Sequence, residues 1–265
     1  MTEWMTVVIL GVIEGITEFL PVSSTGHLLI AEQWLPYRES DAFLIVIQGG
    51  AVAAVLLIFR ERLKQLLLGW RGSTARDYSL KLGAAFFITG LGGVGLNELD
   101  FRLPRNATPV GMALLVGGVL FLLVERRLRG RAVTETVTWS MATLMGLSQL
   151  VAAVFPGTSR SGATILIALA MGLSRPVAVE FSFLLGVPTL LAAGSLKLVS
   201  ELREPGGSPM DWGLLALGTI VSAVTAFAAI RWLLRYVQSH TFEGFGWYRM
   251  ALGVAVLLTA LRSRG

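Results

Sequence analysis

Glu14 and Glu18, four residues apart, share the stretch E-G-I-T-E-F-L-P-V-S-S-T-G-H at positions 14 to 27 with Ser23, Ser24, Thr25 and His27, in an otherwise apolar chain. A charged carboxylate at the centre of a bilayer costs roughly 2.5 to 3.5 kcal/mol on insertion scales, so acids at membrane depth point to function. On a helix the two glutamates stand on one face, one turn apart, and Gly11 and Gly15 leave space there for close backbone approach. Such a pair can share a proton, or clasp a divalent cation such as Mg2+ or Ca2+ through its oxygens. It can also do no more than solvate a polar groove or pair with a buried arginine.

Pro21 removes a backbone donor and ends the preceding helix, and Ser23, Ser24 and Thr25 are candidate N-caps for a helix beginning near Gly26. Backbone N–H groups flanked by hydroxyls make a phosphate site. His27, one turn beyond Ser23, is placed to give or take a proton near neutral pH; the plainer alternative is a ring satisfied by a carbonyl between helices. A second cluster, P-G-T-S-R-S-G at 156 to 162, repeats this design around a guanidinium. Arg160, between Ser159 and Ser161, keeps its charge and needs an anionic partner, and its planar fork suits a phosphate bidentately. Glu14 or Glu18 is the alternative partner. Gln48, Glu180 and Arg249 read as helix-packing or cap partners, and the tryptophans and Tyr248 near span ends read as interface anchors.

The elements that position these groups follow from composition. Of 265 residues 54% are hydrophobic and 15% charged, with a mean hydropathy of +0.69, well outside soluble usage. No polar block is long enough for a separate soluble domain, so residues 1–265 read as one all-α polytopic membrane domain. The chain has no cysteine, which excludes disulfides and thiolate metal sites. The net charge of +5 resides in short loops between apolar runs; it is topology signal, and no nucleic-acid partner is expected. The first residues lack a basic region, carry Glu3, Glu14 and Glu18, and show no small-residue cleavage site, so they do not read as a signal peptide.

Near-continuous apolar stretches run from about Asp41 to Phe59, Leu80 to Leu96, Thr108 to Val124, Pro176 to Ser200, Trp212 to Ile230 and Trp247 to Leu261. These are six expected transmembrane helices. Two other regions, about 4–34 and about 139–173, are each a pair of short apolar pieces broken by a Pro/Gly/Ser/Thr cluster. Such pairs are expected to be re-entrant helical hairpins, tolerated where the broken backbone is buried in protein or lines a wet cavity. The basic run from Arg60 to Lys81 and the run Arg126, Arg127, Arg129, Arg131 read as cytoplasmic, and the loop from Asn97 to Ala107, with Arg102 and Arg105 against Glu98 and Asp100, as external. The two hairpins then enter from opposite sides. Pro21, Ser23 and Gly26 also fall opposite Pro156, Ser159 and Gly162 after a single-residue adjustment. Residues 1–130 and 131–265 therefore read as inverted-topology repeats, whose broken helices meet near the midplane.

These residues resemble the undecaprenyl pyrophosphate phosphatases of the bacitracin-resistance type, through E-G-x-T-E-F-L-P-V-S-S-T-G-H at 14 to 27 and P-G-x-S-R-S-G-A-T at 156 to 164. The resemblance implies an enzyme of the bacterial inner membrane that removes the terminal phosphate of undecaprenyl diphosphate, recycling the lipid carrier for peptidoglycan synthesis. It implies six transmembrane helices plus two re-entrant hairpins, a homodimer, and a site open to the periplasm. It carries the functional positions onto Glu14, Glu18, Ser24, His27 and Arg160, with Ser23, Thr25, Ser159 and Ser161 nearby. On this basis Ser24 attacks the terminal phosphorus while His27 handles its proton, with activated water as the alternative nucleophile, and Glu14 and Glu18 hold either protons or the cation. A transporter or lipid flippase is the rival, since inverted repeats with broken helices are transporter anatomy.

Overall fold

A computed structural model describes residues 2–35, 40–99, 106–203 and 211–262. Among them the chain is all-helical, with no strand beyond an isolated bridge between Thr134 and Leu173. Arg102, Arg105 and Asp100 of the expected external loop lie outside the described residues.

Each long apolar stretch lies on one helix: α3 (Asp41–Ile58), α5 (Ser73–Glu98), α6 (Ala107–Leu128), α9 (Arg175–Arg203), α10 (Trp212–Tyr236) and α11 (Glu243–Arg262). Four of these, α5, α6, α9 and α10, are long and apolar enough to cross a membrane unaided. A fifth span forms if α3 is joined to α4 (Arg60–Leu68), which leaves it at a bend of 70°. The chain is thus a multi-pass membrane protein. Helix α11 carries Glu243 and Arg249 in its first turns and becomes uniformly apolar only beyond them.

Helix α4 stands where the basic run after Phe59 is expected to be loop. Its charges fall on a helical repeat: Lys64 pairs with Glu61 at 3.2 Å, and Arg62 donates to Glu180 at 2.8 Å. These pairs allow a polar sequence to remain helical where it leaves the apolar region.

The two broken regions form short helices as anticipated. In the first, α1 (Glu3–Thr17) is followed by α2 (Ser24–Ala31); in the second, α7 (Trp139–Val154) by α8 (Arg160–Ala170). Each second helix starts in the same way. Ser23 and Ser159 adopt left-handed φ of 72° and 69°, and each hydroxyl accepts a hydrogen bond from the backbone three residues on, Gly26 N and Gly162 N. Of the three candidate caps Ser23 therefore takes the role, and Ser24 and Thr25 lie in the first turn of α2.

Small residues let the helices meet. A methyl added at Gly11 would lie 2.8 Å from Gly218 O on α10, and one at Gly15 would strike Ser222 and Thr225 of the same helix. This is the close backbone approach expected of those glycines, and it is how helices associate where lipid removes the hydrophobic drive between them. Large side chains such as Phe87, Leu91, Ile220 and Val224 point outward, where lipid is the solvent, and the seven tryptophans are each about half exposed or more, as interface anchors are.

Candidate active site

Helix α1 carries Glu14 on its buried face and ends at Glu18, its C-cap, which is buried as well. Glu18 is the hub. Its Oε2 accepts from the Ser24 hydroxyl at 3.0 Å, and its Oε1 accepts from Arg160 Nη2 at 3.4 Å. The glutamate thus links the first turn of α2 to the first turn of α8, although positions 18 and 160 lie far apart in sequence. Glu14 is completely buried, and neither of its carboxylate oxygens has a hydrogen-bond partner; Glu18 and Gln48 are its polar neighbours.

Arg160 stands with its guanidinium over the Phe19 ring, 5.1 Å from the centroid. Only Nη2 reaches a carboxylate, while Nε and Nη1 are buried without partners. A fork with two idle donors is suited to receive a further anion. The space it occupies is made by Gly186 of α9: a methyl there would sit 2.7 Å from Cζ and 2.8 Å from Nη2. Gly186→Ala is expected to displace the guanidinium and lower turnover on the order of 100-fold through misplacement alone. Activity assayed beside an unchanged helical circular dichroism spectrum checks it; wild-type turnover would show that Arg160 tolerates the shift.

The remaining serines of the second cluster serve the protein. The Ser159 hydroxyl caps Gly162 N at 3.1 Å, and that of Ser161 donates to Leu20 O at 3.1 Å and Glu18 O at 3.3 Å. Ser23 is likewise engaged by Gly26 N at 3.3 Å. These hydroxyls shape and join the two helix starts, and the polar groups not used in this way are the Ser24 hydroxyl, the buried unpartnered donors of Arg160 and the helix N-termini.

His27 is turned away from Ser24. Its Nδ1 lies 2.8 Å from Ser23 O and its Nε2 lies 2.7 Å from the Tyr248 hydroxyl. A carbonyl can only accept, so Nδ1 carries the proton and Nε2 accepts from the phenol. The expected Ser24–His27 pair is therefore replaced by Ser24–Glu18. An apolar groove of about 350 Å3 opens beside this histidine, lined among others by Ile16, Leu20, Trp232, Phe245 and Tyr248.

Two residues of α11 also reach this region. Tyr248, half exposed as an interface anchor is, also contacts His27. Arg249, 1% exposed, is a packing partner as expected, and what the sequence does not show is which segments it joins: Nη1 donates to Pro21 O at 3.1 Å, and Nη2 to Thr158 O at 2.9 Å and to Gly157 O and Ala113 O at 3.4 Å, so that it clamps both broken regions. Among the described residues no carboxylate offsets its charge. Their adjacency at the start of α11 was the one available signal.

Residues 7–255 match the family described as bacitracin resistance protein BacA. The chain belongs to that family. Similar curated proteins, each named undecaprenyl-diphosphatase, come from Rhizobium etli, 49% identical over 96% of both chains, and from Xanthomonas axonopodis pv. citri, 45% identical over 97% of both. Another, from Xylella fastidiosa, is 45% identical over 98% of this chain and all of the relative.

In this BacA chain no three acidic, histidine or cysteine side chains gather among the described residues as a ready metal cage. Two buried carboxylates do lie together, and the unpartnered oxygens of Glu14 are the kind of hard donor that Mg2+ or Ca2+ takes. Mg2+ is usually held by one or two carboxylates plus substrate phosphates, so this donor set fits such an ion.

Proposed function

We propose that this protein hydrolyses undecaprenyl diphosphate to undecaprenyl phosphate and inorganic phosphate, recycling the lipid carrier for cell-envelope synthesis and so conferring bacitracin resistance. The observation that carries this reading is the Ser24–Glu18–Arg160 chain, set between two serine-capped helix starts. The names of the relatives support hydrolysis over the transporter alternative.

Phosphoryl transfer asks a protein mainly to position the phosphates and stabilise their charge. Arg160 and the N-termini of α2 and α8 hold the diphosphate. Ser24 Oγ attacks the terminal phosphorus, its proton passes to Glu18, and the bridging P–O bond breaks to release undecaprenyl phosphate. Water then hydrolyses the phosphoserine: His27 Nε2 takes the proton of the water, the P–Oγ bond breaks and Glu18 returns its proton to Ser24 Oγ, giving inorganic phosphate and restoring both Ser24 and the Glu18 carboxylate. Glu14 and Glu18 would hold Mg2+ or Ca2+, which would neutralise phosphate charge. The groove beside His27 receives the first isoprenoid units.

The same reading places the chain in the bacterial inner membrane as a homodimer with its site open to the periplasm, built from six transmembrane helices and two re-entrant hairpins in inverted repeats. The like geometry of Ser23 and Ser159 supports the two halves.

Ser24→Ala tests the nucleophile. Phosphate release from a prenyl diphosphate by protein purified in detergent is expected to fall at least about 100-fold, since the covalent route is lost. Turnover within about tenfold of wild type would instead assign the attack to water.

A further inference from the structure

We infer that Tyr248 is a positioning residue for the reaction, the donor that holds His27 in one tautomer and one orientation with its Nε2 lone pair turned to the groove. The kinetic part of this inference rests on the phosphatase reading, and the structural part does not.

Both ring nitrogens of His27 are accounted for. Ser23 O fixes the proton on Nδ1, which leaves Nε2 as an acceptor, and the Tyr248 hydroxyl is the group that meets it, at 2.7 Å. The rings also stack, with centroids 5.6 Å apart and planes within 12°. One hydrogen bond would leave the imidazole free to pivot about it; a second on the opposite nitrogen, together with the stack, fixes both plane and tilt. The Nδ1 bond comes from the same short helix, but the Nε2 bond comes from α11, 221 positions along the chain.

Position explains why a phenol is suited here. Tyr248 is 48% exposed and lines the groove with His27, whereas Ser24 and Arg160 do not line it. An oxygen that reaches Nε2 meets it at the place the phenol occupies. The hydroxyl holds the lone pair in one direction before an incoming oxygen takes its place. Arg249, the next residue, ties the same turn of α11 to Pro21 O and Thr158 O. The phenol is therefore referenced to the two helix starts that hold the phosphates.

Tyr248→Phe keeps the stack and removes the hydroxyl. In a His240→Gln chain, His27 is the sole histidine, so 15N-histidine NMR in detergent at about pH 8, above the ordinary histidine range, follows one ring. The parent is expected to carry its proton on Nδ1 with a hydrogen-bonded Nε2. In Tyr248→Phe the Nε2 resonance should move downfield while Nδ1 stays protonated. Phosphate release should show kcat lowered about tenfold, the worth of one hydrogen bond, with KM within about twofold. A proton on Nε2 in the parent, or an unmoved Nε2 resonance in the variant, would overturn the contact. A moved resonance with unchanged kcat would overturn the role in the reaction. Failure of the parent to release phosphate would sink the phosphatase reading, and the NMR result would still decide the contact.

Discussion

Arg249→Met is expected to abolish phosphate release and to lower the thermal unfolding temperature in detergent by more than any other single change described above. The guanidinium holds Pro21 O and Thr158 O at 3.1 and 2.9 Å, with two longer contacts at 3.4 Å. Hydrogen bonds to a charged donor are worth about 1.5 to 3 kcal/mol each, so losing the two good ones alone removes about 3 to 6 kcal/mol. Methionine matches the volume and leaves the carbonyls without donors in a buried place, which adds to the loss. The space is shaped for the native group, since a methyl added at Gly162 would sit 2.9 Å from Arg249 Nη1. Arg249→Lys should fall between the two, because an ammonium keeps the charge but cannot span carbonyls from separate segments. An unfolding temperature within a few degrees of wild type for Arg249→Met, together with retained activity, would show that the two broken regions hold each other without the clamp.

Arg160→Ala should be the most damaging change to chemistry that leaves the fold standing. Two of its donors are idle, and in the proposed reaction they meet the phosphate on which charge develops. Removal of one such donor typically costs about 2.7 to 4 kcal/mol in the barrier, so phosphate release should drop 100-fold to 1000-fold. Arg160→Lys should recover only part of this, as the bidentate fork is lost. Because Arg160 also faces Glu18 at 3.4 Å, the alanine leaves a buried carboxylate unpaired. A Glu18→Gln, Arg160→Ala double variant reads the structural effect alone: thermal stability recovered relative to Arg160→Ala assigns that loss to the unpaired carboxylate, while the role toward substrate is read from Arg160→Ala and Arg160→Lys with Glu18 in place. Unchanged phosphate release by Arg160→Ala would remove it from the site.

The helical layout was legible because lipid imposes a simple demand: long apolar runs with every backbone group satisfied within the segment. The ends of α3, α6 and α9 fall within a few residues of the apolar stretches, whereas α5 and α10 run past theirs, since ends such as Ser73–Asp77 and the segment from Arg231 to Tyr236 are helical without being uniformly apolar. Helix α4 was hidden for the same reason, its charges reading as loop. Within the site, the two motifs were visible because their polar groups are costly at membrane depth. Which polar group meets which was another matter. Ser24 has both Glu18 and His27 close in sequence, and only the fold of the turn at Leu20 to Ser23 decides for the glutamate. The partners of Tyr248 and Arg249 were not legible, because an aromatic and a packing cation near a span end look alike whichever segments they meet.

The clamp also bears on the order in which the molecule becomes competent during synthesis. Ribosomal elongation delivers the tips around Pro21 and Thr158 long before Arg249 and Tyr248, and chains fold as they emerge, N-terminal parts first. A nascent chain that has not reached α11 holds Ser24, Glu18 and Arg160 but lacks the cation that ties the two tips and the phenol that sets the imidazole. Such a chain can insert its earlier helices while its chemistry stays unarmed, and the arrival of two neighbouring residues on one helix completes the assembly.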